Sequence, residues 1–113
     1  PLTKRYVPSD IAAMTTYEEI FEFSRPEFVS SISVKRIEEQ GVLQVNLQIE
    51  SNGQEKNLNL SGFDELAECV SYFLVSERVV VSKEIGTGKE FGTIRIECWN
   101  DECYSVHWCD TAA

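Results

Sequence analysis

The chain is predicted to form a single α+β domain in which two helix-plus-meander halves follow one another, αβββ-αβββ, with antiparallel strands packed on a central helix. Three observations point there. An amphipathic stretch, Ser61 to Leu74, sits in the middle of the chain. Runs that alternate apolar and polar residues flank it on both sides, and Asn-Gly or Gly-rich turns separate those runs. With 113 residues, 42% hydrophobic and 11% aromatic, the chain suffices for one packed core over residues 1–113 without disulfide staples.

Residues 1–10 contain Lys4, Arg5 and Pro8 with little apolar pattern and read as an extended arm. Thr16 with Glu19 makes a capping box ahead of Tyr17–Phe21, which predicts a helix of about two turns. Pro26 disfavours helical geometry at Arg25, so that helix should end at Phe23 or Ser24.

From Phe28 the period becomes two. Ile32 and Val34 alternate with serines, and after the turn at 38–41, Leu43, Val45, Leu47 and Ile49 alternate with Gln44, Asn46, Gln48 and Glu50. Asn52-Gly53 is a hairpin signal. A two-residue loop there sets Ser51 against Gln54, Leu47 against Leu58 and Val45 against Leu60. Pairing Ile37 with Val42 sets Val34 against Val45 and Ile32 against Leu47 on the same face. Val29, Ile37, Val42 and Val80 are assigned to the outer face.

The central helix presents Phe63, Leu66, Ala67, Val70, Phe73 and Leu74 at the three-and-four spacing of one face, with Ser61 and Asp64 as its capping box. Cys69 lies at the edge of that face. Asp64, Glu65, Glu68 and Tyr72 point to solvent, the last three as one stripe.

Arg78–Ser82 begins the next strand, and Gly86-Thr87-Gly88-Lys89 forms a loop. Closing it with Ile85 against Glu90 sets Val81 opposite Ile94 and Val79 opposite Ile96. The last hairpin admits two registers. A three-residue loop, Asn100-Asp101-Glu102, sets Ile94, Ile96 and Cys98 against Trp108, Val106 and Tyr104, and it is preferred because it gathers the apolar residues on one face. It turns Cys103, His107 and Cys109 outward. Trp99 then lies on the outer face beside Glu97 and the acidic tip Asp101-Glu102.

Nineteen acidic against ten basic residues leave a net charge of −9, which repels phosphate backbones and anionic membranes, so neither nucleic acid nor membrane is an expected partner. Four cysteines without a signal-peptide pattern or a long apolar run suggest reduced thiols and a cytoplasmic location. Cys98, Cys103, His107 and Cys109 resemble a zinc set in composition only. Cys103 and Cys109 on one strand would be about 20 Å apart, against metal–ligand bonds of about 2.3 Å. Cys103 and His107, about 13 Å apart on the same strand, are too distant for proton transfer. Gly86–Lys89 lacks the phosphate-loop arrangement, and no catalytic motif is present. No catalytic residue, metal or cofactor is therefore assigned, and the chain is read as a non-enzyme.

What remains is surface. Glu65, Glu68 and Tyr72 on the helix, with Glu97, Trp99, Asp101 and Glu102 on the last hairpin, form the expected protein-binding set: aromatic anchors with an acidic rim. The expected partner is a basic protein such as a toxin or nuclease. In size and charge the chain is similar to bacterial immunity and antitoxin proteins, which neutralise such partners, and this is an analogy of class. The alternative is a structural or assembly subunit, a homodimer or part of a larger complex, joined through an apolar sheet face or an edge strand. A third reading, a thiol- or metal-dependent enzyme, would need Cys103, His107 and Cys109 to converge.

Overall fold

Thr16–Ser24 is strand β1, not a helix. In the computed structural model, which describes residues 16–39, 41–86, 88–89, 91–101 and 103–113, β1 runs antiparallel to β5 (Arg78–Ile85), with Phe21 opposite Val81 and Phe23 opposite Val79. A capping box contributes about 1 kcal/mol locally. Full burial of Phe23, 1% exposed, contributes about 2 kcal/mol or more, and the strand ladder is added to it, so the long-range pairing wins. A bulge between Glu19 and Phe21 adjusts the alternation so that both phenylalanines turn inward. The arm expected over 1–10 lies outside the described residues.

The second sheet is built from β2 (Phe28–Ile37), β3 (Val42–Ser51), β4 (Gln54–Ser61) and the short β8 (Thr111–Ala112), in that order. Its registers are those the alternation predicts: Ile37 opposite Val42, Val34 opposite Val45, Leu47 opposite both Ile32 and Leu58, and Ser51 opposite Gln54. Asn52 and Gly53 turn the hairpin with φ of 52° and 81°, the positive values this two-residue turn requires. Val29 is buried rather than outward, because a bulge between Val29 and Ser31 reverses its side. Val80 is 8% exposed under its neighbours, and Ile37 and Val42 are half-buried.

The first sheet has the order β1-β5-β6-β7, with β6 at Ile94–Trp99 and β7 at Tyr104–Cys109. Its registers differ from expectation in two ways. Val81 faces Ile96 and Val79 faces Cys98, a two-residue slide that keeps the same side chains in the core. On β7 the slide is one residue: Ile94 faces Cys109, Ile96 faces His107 and Trp99 faces Tyr104. Asn100 sets this longer turn. Its amide donates to Cys103 O and its Oδ1 accepts from Cys103 N, both at 2.9 Å. His107 and Cys109 are therefore buried, at 7% and 0% exposure, while Tyr104, Val106 and Trp108 turn outward.

Besides the helical connection from β4 to β5, the chain passes between the sheets at two corners, through the Arg25–Pro26 turn after β1 and at Asp110 after β7. Asp110 donates its amide to Ser61 O and accepts Gly92 N at 2.6 Å, which holds the second corner against the end of β4. Both sheets contribute to one core, including Phe23, Val45, Leu47, Ile49, Leu60, Val79, Val81 and Ile96.

Helix α1 spans Leu66–Val75, later than the capping pattern implied. Ser61 belongs to β4, where its hydroxyl meets that of Thr111, and Gly62 has φ +79°, outside helical space. Glu65 takes the N-cap position without a side-chain cap. The helix buries Cys69 and Phe73 and half-buries Leu66 and Tyr72, whereas Ala67 and Leu74, both assigned inward from sequence, are exposed. Among the described residues no helix is long and apolar enough to cross a membrane.

Candidate functional site

The rotation of α1 and the register of β7 together create a cleft of about 190 Å³, lined by Asp64, Glu65, Glu68, Cys69, Val106, His107 and Trp108. Its floor is His107. The imidazole lies 5.1 Å from the Tyr72 ring and meets the Phe73 ring edge-on at 6.0 Å, and Nε2 shares a hydrogen bond of 3.0 Å with Ser105 Oγ. Burial lowers the His107 pKa below the ordinary 6.5, against the opposing pull of the Glu68 carboxylate. The wall is acidic. Asp64, Glu65 and Glu68 are exposed, and none of them takes part in the ion pairs among the described residues.

One thiol, Cys69, lines this cleft, and Cys98 and Cys109 are buried in the core. The Cys69 thiol donates to Glu65 O at 3.3 Å, and burial pushes Cys69 and Cys98 up to about 11 and Cys109 to about 12. All are free, and Cys103 stands apart and exposed. Among the described residues no three His, Cys, Asp or Glu side chains converge on a metal-sized site.

The remaining expected site residues fall elsewhere. Glu97 and Trp99 lie on the outer face of the first sheet, where each meets a cation. Arg95 pairs with Glu97 at 3.0 Å while its guanidinium lies 4.6 Å over the Tyr17 ring, and Tyr104 OH donates to the same carboxylate at 2.7 Å. That hydrogen bond holds the Tyr104 pKa above its usual value, and burial adds to the effect. Arg78 covers Trp99 at 4.8 Å and pairs with Glu22 at 2.9 Å. Lys89 reaches Glu84 at 2.9 Å and stands 5.3 Å from the Trp108 ring. This face is a lattice of paired charges and covered aromatic rings, so Trp99 with Glu97 is not the open anchor with an acidic rim expected of it.

Tyr72 also leaves the exposed stripe, since its ring packs on His107. Asp101 is exposed at the tip of the β6–β7 turn, facing Val75 and Glu77 across a shallow depression, and Glu102 lies outside the described residues. The structure thus brings Glu65 and Glu68 together with Asp64 and His107, and separates them from Glu97, Trp99 and Asp101; Trp108 borders the cleft, with its ring turned to the outer face under Lys89. His107 and Trp108 were missed because the shorter loop reversed their sides. The signal for the longer loop is Asn100, whose side chain favours a turn closed three residues later.

A larger cleft of about 380 Å³ is lined by Lys83, Glu84, Gly86, Gly88, Lys89 and Asp110 among others. Its main charges answer one another, Lys89 with Glu84 and Asp110 with the Gly92 amide. The chain matches no family model, and neither a curated protein nor a solved structure matches it significantly.

Proposed function

We propose that this protein is a small acidic binding module that docks onto a basic partner protein and neutralises it, as immunity and antitoxin proteins do with toxins and nucleases. The observation that supports this reading best is the set Asp64, Glu65 and Glu68: three carboxylates on one cleft that no cation pairs with among the described residues, in a molecule of net charge −9. Unpaired acidic groups at the mouth of a concave site focus potential outward and speed the approach of a cationic surface. A non-catalytic role fits the three buried thiols, since burial favours the protonated form of Cys69, Cys98 and Cys109. A cytoplasmic setting with reduced thiols belongs to the same proposal.

The test is affinity capture from the native host at low ionic strength, with wild type beside the double variant Glu65→Lys/Glu68→Lys. A basic protein should be retained by wild type, released near 1 M salt, where screening acts within about 3 Å, and not retained by the variant. Retention indifferent to both salt and charge reversal would remove the basis of the proposal. One observation favours assembly as a second reading: Leu74 and Val75, 49% and 56% exposed, lie side by side at the end of α1. Sedimentation of wild type and Leu74→Ser/Val75→Ser decides whether that patch joins two chains.

A further inference from the structure

Segment 63–68 forms a ridge with a different depression on each side. Towards β7 lies the acidic cleft; towards β3 lies a groove of about 210 Å³ lined by Gly41, Val42, Leu43, Gly62, Phe63 and Leu66. The groove is apolar, with Leu43 47% exposed and Phe63 and Leu66 half-buried on the core. Each depression is smaller than the roughly 300 Å³ at which small-molecule sites begin, and each suits one large side chain.

We infer that the start of α1 is a two-pronged dock for a partner segment that places a bulky apolar side chain in the Val42–Leu43–Phe63–Leu66 groove and a lysine or arginine in the Asp64–Glu65–Glu68 cleft. This rests on the basic-partner reading and names what that partner presents. Charge complementarity selects the occupant. Among the described residues the three carboxylates of the cleft have no ion-pair partner and suit a guanidinium or ammonium, while the groove has no charged lining residue to satisfy.

The experiment is selection of random short peptides displayed on phage against the full chain, followed by affinity measurement of the selected peptides on variants. Selected peptides should share a Lys or Arg and a Leu, Ile, Phe or Trp at one fixed spacing. Leu43→Glu and Glu65→Lys/Glu68→Lys should each weaken binding by about tenfold or more, and Glu55→Lys, exposed on β4 of the second sheet, by less than about twofold. Thermal unfolding checks that Leu43→Glu still folds, and Leu43→Ser replaces it otherwise. Loss of affinity with the glutamate reversal but not with either Leu43 variant overturns the two-pronged dock and leaves the basic-partner reading standing. Peptides without a basic residue, or affinities unmoved by every variant, overturn both.

Discussion

Phe73 and Leu74 are adjacent on α1, and the amphipathic pattern assigns both to the core, so replacing each with alanine tests how the helix is turned. Phe73 is 0% exposed, enclosed by Phe63 at 6.0 Å and His107 at 6.0 Å, and Leu74 is 49% exposed. Removing a fully enclosed phenylalanine costs about 3–5 kcal/mol in transfer and cavity terms, and the lost edge-on ring contacts place Phe73→Ala towards the upper part of that range. For 113 residues the unfolding entropy is about 240 cal/mol/K, so a loss of about 4 kcal/mol lowers the melting temperature by about 17 °C. Leu74→Ala should cost below about 1 kcal/mol, partly offset by the better helix propensity of alanine. Urea unfolding followed by circular dichroism, with calorimetry for the melting temperature, measures both. Successive helix residues are about 100° apart, so a Leu74→Ala cost equal to that of Phe73→Ala would mean a rotated helix and would carry Glu65 and Glu68 away from the His107 cleft.

His107 should make stability depend on pH in one direction. Burial lowers its folded pKa, so the unfolded chain takes up the proton first; the contribution is complete above pH 6.5 and is lost as pH falls through the lower folded value. Denaturant midpoints from pH 7.5 downwards should show this slope in wild type, and it should flatten in His107→Gln; an equal slope in both would place the titrating group elsewhere. Thiol labelling at pH 8 should modify Cys103 first, with Cys69, Cys98 and Cys109 reacting only on unfolding, and mass spectrometry showing equal rates for all four would contradict their burial. Gly62→Ala should cost more than Gly53→Ala, by about 1 kcal/mol or more. Both residues have positive φ, but a Cβ at Gly62 would run into the Asp110 carboxylate while Gly53 faces open space. Equal losses in urea unfolding would show that the Asp110 corner yields easily.

The segment 32–60 was legible residue by residue because two independent local signals agree there. Period-two alternation and the positive-φ pair Asn52-Gly53 demand the same register, and a one-residue slip would expose Leu47 and Ile49 together. The existence of the central helix and the sign of the surface charge were legible for the same reason: each is a property of neighbouring residues or of a simple sum. The candidate site was legible only in part. Glu65 and Glu68 are where an acidic helix surface predicts them, but the cleft they border is not a property of the helix.

Three features belong to the tertiary structure alone. Tyr17–Phe23 satisfies a helical capping pattern locally and becomes β1 because β5 offers Phe21 and Phe23 a ladder and a buried face. The last hairpin turns on one residue of loop length, set by Asn100 closing on Cys103, and this buries His107 while sending Trp108 outward; apolar counting favoured the opposite side because it could not include the cations that cover an outward ring. The outer aromatic face changes meaning likewise. Arg78 and Arg95 are distant in sequence from Trp99 and Tyr17, and only pairing of β1, β5, β6 and β7 lays those charges over those rings. Local chemistry decides which residues alternate and which cap, whereas the side of a strand or helix that meets water is decided by whatever surface arrives from elsewhere in the chain to cover it.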